Sequence, residues 1–137
     1  MKVKALTETA KIPYRAHEYD AGYDLFADDN FQIPSGEIEK IRTGIALGIP
    51  DGYVGIIKDR SSVGSKGINV LAGVIDSGYR NEVIVVLRNN TSSAIQINIG
   101  DKIAQILILP CYQKPIEEVT NLNVTDRNLN GFGSSGT

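Results

Sequence analysis

The chain has 137 residues, 42% of them hydrophobic and 22% charged, which is typical of one globular domain. Its 14 Lys and Arg against 16 Asp and Glu leave a formal charge of −2, so we expect no polymeric nucleic acid among its partners. One Cys excludes an internal disulfide and a cysteine-rich zinc site, and one His excludes a metal site of the HExxH type, which needs two histidines. The first residues carry no apolar signal segment, and no apolar run is long enough to cross a bilayer. We therefore expect no membrane association and a cytoplasmic location, or the interior of the host cell if the chain is viral.

Apolar residues come in short groups rich in Val and Ile, separated by turn residues, which predicts an all-β sandwich or barrel. The predicted strands, in chain order, are residues 38–49, 53–57, 83–87, 95–99 and 103–109. The predicted turns are Pro34-Ser35-Gly36, Pro50-Asp51-Gly52, Arg88-Asn89-Asn90 and Gly100-Asp101. One short helical turn is predicted over residues 61–66, where Ser61 and Ser62 are suited to cap it.

The last stretch of the chain differs in composition from the rest. Residues 120–137 have few apolar side chains and many Asn, Gly and Ser, so they can add little to a core. We therefore divide the chain into a β-domain, residues 1–119, and a flexible C-terminal arm, residues 120–137. Composition alone favours a frayed end, whereas Arg127, Phe132 and the run Gly133-Ser134-Ser135 suit a ligand that carries phosphates and a base.

Two further segments combine polar groups with turns. Residues 59–67 bring Arg60, Ser61 and Ser62 to the end of a strand, which suits an anion although solvated loops often have this composition. Residues 72–80 predict an apolar hairpin arm that ends in Asp76, which is either turn chemistry or a carboxylate able to deprotonate a water. Gly73 would let a flat ligand approach the backbone closely.

Two polar residues interrupt apolar strands. Gln105 lies within residues 100–106, GDKIAQI, and marks either a satisfied hydrogen bond in the core or a ligand contact. Asp24 lies within residues 21–27, AGYDLFA, where a half-buried carboxylate needs a cationic partner. Arg60 is the candidate partner.

In chain order these segments resemble the five motifs of the trimeric dUTPase family, the deoxyuridine triphosphate nucleotidohydrolases. The matching segments are AGYDLFA, DRSSVGSKG, AGVIDSGYR, GDKIAQ and RNLNGFGSSG, and they span residues 21–136. The second motif of most members has Pro before its Arg, where this chain has Asp59. The resemblance implies an all-β, jelly-roll-like β-barrel that forms a homotrimer, with the C-terminal arm of one subunit closing over a neighbouring subunit's site.

The resemblance also implies a reaction, in which dUTP and water give dUMP and pyrophosphate with Mg²⁺ as cofactor. Asp76 would hold the sugar 3′-hydroxyl and activate the water, while Ser61 and Gln105 would stabilise the leaving group. Asp24 would contact the metal only through a water. The remaining implied substrate contacts are Arg60, Ser62, Ala72, Gly73, Val74, Ile75 and Tyr79 in the β-domain, with Arg127, Phe132, Gly133, Ser134 and Ser135 in the arm.

Two alternatives stay open at this point. The dCTP deaminases share the fold and carry a similar Arg-Ser-Ser, but the position of their assisting Glu corresponds to Val86 here, which cannot transfer protons. A nucleotide-sensing regulatory protein on the same scaffold would act through protein partners instead of catalysis.

Overall fold

The structure is a computed structural model and describes residues 1–125. Ten strands and one short helix follow each other along these residues. They are β1 (Lys2–Ala5), β2 (Tyr23–Phe26), β3 (Phe31–Ile33), β4 (Ile38–Gly48), β5 (Tyr53–Lys58), α1 (Ser61–Gly64), β6 (Ile68–Leu71), β7 (Val74–Ile75), β8 (Glu82–Asn89), β9 (Ile95–Ile97) and β10 (Lys102–Pro110).

The strands form two four-stranded antiparallel sheets and a two-stranded ribbon. The first sheet has the order β1-β4-β8-β6, the second has the order β2-β10-β5-β7, and β3 pairs with β9. Alternate residues of β8 point into the apolar core, so that Val83, Val85 and Leu87 are buried together with Leu25 and Ile106 of the second sheet. This architecture confirms the all-β, jelly-roll-like prediction.

The five predicted strands are present, and the chain adds five short ones, β1, β2, β3, β6 and β7. None of the five exceeds four residues, which gives little periodicity to detect, and every residue of β1 is exposed. The equally short β9 was predicted because Ile95, Ile97 and Ile99 alternate with polar residues. Three predicted turns contain a glycine with positive φ, namely Gly36, Gly52 and Gly100. Within residues 1–125 no helix is long and apolar enough to cross a membrane.

The turn predicted at Arg88-Asn89-Asn90 is wrong for its first two residues, because Arg88 and Asn89 belong to β8 and Asn89 is fully buried. Its Nδ2 donates to the carbonyl oxygens of Ile33, Pro34 and Ser93, and its Oδ1 accepts from the Thr91 backbone N–H and hydroxyl. Asn89 is therefore a buried hydrogen-bonding hub, which connects the end of β8 to the end of β3.

The predicted helical turn is present as α1, but its capping differs from the prediction. Arg60 is the N-cap residue, in an extended conformation, and it makes no side-chain capping hydrogen bond. Ser61 and Ser62 lie inside the first turn of α1, so their hydroxyls cannot act from the N-cap position.

The predicted hairpin over residues 72–80 is also corrected. β6 pairs with β8 in the first sheet, whereas β7 pairs with β5 in the second sheet. Ala72 and Gly73 have φ values of 60° and 100°, and this left-handed turn takes the chain from one sheet to the other. A tight turn is therefore present, but its two strands do not pair with each other.

Two irregular segments flank the second sheet. Before β2, the chain runs along the outer edge of that strand and is fixed there by an isolated bridge between Tyr14 and Asp24. After β10, residues 111–125 form neither helix nor strand in the described part of the chain.

Candidate active site

A pocket of about 220 Å³ opens where the second sheet meets the N-terminus of α1. It is lined by residues from three of the sequence segments singled out above, together with Ala16 and Asp20 of the segment before β2. The residues from those segments are Ala21, Gly22, Asp24, Arg60, Ser61 and Gln105. The fold thus brings together residues that are up to 89 positions apart, from Ala16 to Gln105.

The register of β10 explains this meeting. Gln105 lies opposite Asp24 on β2 and opposite Lys58 on β5, so it sits in the middle of three neighbouring strands. Arg60 and Ser61 lie just beyond β5, which ends at Lys58, and therefore reach the same end of the sheet.

Asp24 is held by two cations. Its Oδ1 lies 2.7 Å from Arg60 Nε and its Oδ2 lies 2.7 Å from Lys102 Nζ, while only 10% of its side chain is exposed. The pairing with Arg60 was predicted from the sequence, but Lys102 was missed. The hydrogen bond to Asp24 raises the pKa of Lys102 above its ordinary value of 10.5, and Tyr14 raises it further.

Gln105 is half-buried, makes a hydrogen bond within the fold and also lines the pocket. Its Nε2 donates to the Asp59 carbonyl oxygen at 2.9 Å, so the amide has a partner within the fold. Its Oε1 side faces Gly22, where an added Cβ would meet that oxygen and lie 3.0 Å from Gln105 Cβ and Cδ. The absence of a side chain at Gly22 therefore gives Gln105 its place in the pocket wall.

The serines that follow Arg60 face solvent. Arg60 Nη1 donates to Ser62 Oγ at 3.2 Å, which leaves Ser61 as the hydroxyl in the pocket wall. A guanidinium, a hydroxyl and an amide in one polar pocket suit an anion with several oxygens.

The third segment lies on the other side of β5. Gly73 accepts a 2.8 Å hydrogen bond from the Ile57 backbone N–H, and a Cβ at Gly73 would lie 2.9 Å from the Ile57 carbonyl oxygen. The glycine is thus required by the close approach of β5 and by its positive φ. Val74 is exposed and Ile75 packs against the core, and β7 forms the outer edge of the second sheet.

Asp76 and Tyr79 are exposed and lie away from the pocket. The Tyr79 hydroxyl donates to the Glu82 carbonyl oxygen at 2.9 Å. Ile75 is opposite Gly55, so Asp76 continues β7 away from Lys58, the residue that faces Gln105. Asp76 is four residues along the strand direction and two strands across the sheet from Gln105. These two perpendicular separations correspond to about 16 Å between the Cα atoms.

The described residues 1–125 contain no group of three or more His, Cys, Asp or Glu arranged to hold a metal ion. Both oxygens of Asp24 already have a cationic partner, so this carboxylate is not free for direct coordination. A carboxylate oxygen has lone pairs for more than one donor, so a metal-bound water remains a suitable partner. Arg127, Phe132, Gly133, Ser134 and Ser135 of the predicted arm lie outside the described residues.

Comparisons with known proteins agree with this geometry. The sequence profile of the dUTPase family matches residues 8–136. The chain belongs to the dUTPase family. Family membership does not favour the deaminase or the purely regulatory alternative.

Individual members of the dUTPase family resemble the chain over nearly its whole length. The deoxyuridine 5′-triphosphate nucleotidohydrolase of Rabbitpox virus (strain Utrecht) is 42% identical over 130 residues, covering 95% of this chain and 88% of the relative. That of Trichodesmium erythraeum (strain IMS101) is 42% identical over 140 residues, covering 100% of this chain and 99% of the relative.

Solved dUTPase structures share the fold. The Staphylococcus bacteriophage 80alpha dUTPase with dUPNHPP has a TM-score of 0.93 at 30% identity, covering 99% of this chain and 98% of the other. A mutant dUTPase from phage phi11 of S. aureus, described with a structural Mg(II) ion, has a TM-score of 0.85 at 31% identity, covering 90% of this chain and 98% of the other.

Proposed function

We propose that this chain is a dUTP diphosphatase, which hydrolyses dUTP to dUMP and pyrophosphate. The observation that carries this conclusion is the pocket in which Asp24, Arg60, Ser61 and Gln105 meet in a member of the dUTPase family. The reaction limits uracil incorporation into DNA and supplies dUMP for dTMP synthesis. Because dUTP belongs to the intracellular nucleotide pool, the proposed place of action is the cytoplasm, or the host cell interior for a viral chain.

The pocket suits the triphosphate. Arg60 is bound to Asp24 through Nε, so other N–H groups of its guanidinium remain for phosphate oxygens. Ser61 and Gln105 contact the bridge between the α- and β-phosphates and stabilise the leaving pyrophosphate, while Ser62 supports Arg60 and adds a hydroxyl.

Mg²⁺ is the proposed cofactor. The residues fit a metal held by the substrate phosphates and by waters, with Asp24 accepting a hydrogen bond from one of those waters. When bound, the ion neutralises charge on the triphosphate.

The base and sugar are read by the third motif. β7 is an edge strand, so the backbone groups on its outer side, from Ala72 to Ile75, are free to pair with uracil in the way that a strand pairs with another strand. Ala72 holds a left-handed φ of 60°, a strained conformation that fixes the backbone at this place. Tyr79 packs on the deoxyribose and leaves no room for a 2′-hydroxyl.

Asp76 is the general base. Its exposed carboxylate accepts a proton from a water that attacks the α-phosphorus, and the bond from that phosphorus to the bridging oxygen breaks as pyrophosphate leaves. Asp76 lies about 16 Å from Gln105 in one chain. At that distance Asp76 cannot activate a water at the α-phosphorus while Gln105 of the same chain contacts the adjacent bridge between the α- and β-phosphates. The separation supports a homotrimer in which each site takes Asp76 from one subunit and the pocket from another.

The C-terminal arm, residues 120–137, closes this shared site. Its proposed contacts are Phe132 on the uracil, Arg127 on the γ-phosphate, and Gly133, Ser134 and Ser135 around the same phosphate. Arg and a Gly-Ser run supply the charge-assisted and backbone hydrogen bonds that a terminal phosphate needs.

Pyrophosphate release from dUTP, compared with dCTP, dTTP and UTP, tests the proposal directly. We expect turnover of dUTP to exceed that of the other three nucleotides, and Asp76→Asn to reduce it by about 10²–10⁴-fold while nucleotide binding is retained. Ammonia release from dCTP would instead support a deaminase. Binding of dUTP by the parental protein without pyrophosphate release would support a regulatory protein.

A further inference from the structure

We propose that Lys102 is a positioning residue that holds Asp24 so that Arg60 stays directed into the triphosphate pocket. This inference rests on the proposed function. Lys102 lies 2.7 Å from Asp24 Oδ2, on the opposite side of the carboxylate from Arg60 Nε at Oδ1. Each oxygen of one carboxylate is therefore assigned to a different cation.

A β-bulge puts Lys102 on this face of the sheet. In a regular strand, residues three positions apart point to opposite faces, so Lys102 and Gln105 could not both face Asp24. The register of β10 against β2 shifts between Lys102 and Ala104, so that Lys102 is opposite Phe26 while Gln105 is opposite Asp24. Asp24 and Phe26 share a face, and the bulge therefore brings Lys102 to the pocket side.

Tyr14 fixes the ammonium group in place. Lys102 Nζ lies 4.9 Å from the centroid of the Tyr14 ring, which itself stacks on Phe26 at 5.6 Å. The Asp24 backbone N–H donates to the Tyr14 carbonyl oxygen at 2.9 Å, so the same residue anchors the strand that carries the carboxylate. The Lys102 ammonium group is thus held between the face of the Tyr14 ring and the Asp24 carboxylate.

The consequence concerns Arg60. Guanidinium and carboxylate groups readily form a two-pronged pair when both oxygens are available. Without Lys102, Asp24 Oδ2 would lack its partner and would compete for a second N–H of Arg60. The lysine therefore keeps Asp24 bound to Arg60 through one oxygen only, and the Arg60 N–H groups that bind neither Asp24 nor Ser62 stay available for phosphate.

The test compares Lys102→Met with Lys102→Arg and with Lys66→Met. Lys66 is an exposed cation that lines the neighbouring cleft together with Arg60 and Lys102, so Lys66→Met removes the same charge from the same region. We expect Lys102→Met to raise the KM for dUTP about tenfold with kcat changed by less than about threefold. We expect Lys102→Arg to restore KM to within about threefold of the parental value and Lys66→Met to leave it within about twofold.

A parental KM in Lys102→Met, or an equal rise in Lys66→Met, would overturn the proposal, because the effect would then be absent or would be a general loss of charge. If Lys102→Met does not fold, Tyr14→Leu is the deciding variant. It removes the aromatic ring under Lys102 Nζ at an exposed position, and it should also raise the KM for dUTP. Calorimetric binding of inorganic tripolyphosphate separates this proposal from the proposed function. Weaker binding by Lys102→Met supports the positioning role even in a protein that releases no pyrophosphate from dUTP, and equal binding overturns it.

Discussion

The Asp59 carboxylate accepts a hydrogen bond from the backbone N–H of Val70 at 2.5 Å, and so fastens the segment that precedes Arg60 to strand β6. Its other oxygen accepts from Asn69 Nδ2 at 3.2 Å. The Asp59 carbonyl oxygen also receives the Gln105 amide, so one residue connects the second and fourth motifs with the neighbouring sheet. The dUTPase motif that this segment resembles has Pro at this position, whereas the aspartate here holds the segment through side-chain hydrogen bonds.

Replacing Asp59 by Ala should therefore lower the free energy of unfolding by about 2 kcal/mol. The substitution removes a charge-assisted hydrogen bond and leaves the partly buried Val70 N–H without its acceptor. Urea unfolding followed by circular dichroism measures the change. Asp51→Ala is the matched control, since Asp51 is exposed at the tip of a turn and should change stability by less than about 0.5 kcal/mol. Equal effects of the two substitutions would show that Asp59 has no special structural role.

Asn89→Ala should be more damaging than any exposed Asn substitution. Asn89 is fully buried and its amide satisfies three carbonyl oxygens, so truncation leaves several buried groups without partners. We expect a loss of about 3 kcal/mol in unfolding free energy. Asn90→Ala, at an exposed position with one side-chain bond to Asn69, should lose less than about 1 kcal/mol. A loss below 1 kcal/mol for Asn89→Ala would contradict its assignment as a hub.

Gly22→Ala tests the place of Gln105. The new methyl group would push against the Gln105 side chain, and a displacement of about 1 Å in such a group lowers turnover by about 10²-fold. Gly48→Ala is the control, because its Cβ would lie 3.4 Å from Lys2 Cβ, an ordinary contact, at a position outside the pocket. Initial rates of pyrophosphate release measure both variants. Parental turnover in Gly22→Ala would mean that Gln105 is not needed where it lies.

The raised pKa of Lys102 predicts how its contribution to stability depends on pH. A group whose pKa is higher in the folded state stabilises fully below its unfolded pKa, here 10.5, and loses that effect as pH rises through the folded value. The difference in unfolding free energy between the parental protein and Lys102→Met should therefore be constant from about pH 7 to pH 9 and shrink above pH 10.5. A difference that already shrinks below pH 9 would contradict the hydrogen bond between Lys102 and Asp24.

A mixing experiment tests the division of the site between subunits. Asp76→Asn and Arg127→Ala each remove a different component, and each variant alone should be nearly inactive. If one site takes Asp76 from one subunit and the arm from another, an intact site needs Asp76 from an Arg127→Ala chain and the arm from an Asp76→Asn chain. In an equal random mixture each condition holds for about one-half of the sites, so both hold for about a quarter of them. Refolding an equal mixture should recover about a quarter of parental activity. No recovery in mixed trimers verified by native mass spectrometry would show that one chain supplies both components.

The sequence predicted which side chains meet in the pocket better than it predicted their arrangement. Motif order identified Asp24, Arg60 and Gln105, and a half-buried carboxylate correctly predicted the pair with Arg60. Lys102 escaped detection because strict alternation would place it on the face opposite Gln105, and a bulge cannot be located from a single strand's pattern.

The strand pattern had a similar limit. Alternation revealed the long strands, but β7 has two residues and its partner is fixed by the left-handed turn at Ala72 and Gly73. The local composition of this segment fits a hairpin equally well. Only the pairing with β5 shows that the chain changes sheet there.

The proposed division of the site between subunits, which rests on the distance of about 16 Å between Asp76 and Gln105, has a consequence for the cell as well as for the mechanism. A site completed by association obeys mass action, so the activity per chain depends on how much of the protein is present. If the site is shared in this way, isolated chains would be inert at low abundance, and dUTP hydrolysis would begin once the protein concentration exceeded the dissociation constant of the assembly. The concentration of the protein would then set the onset of its activity without any separate regulator.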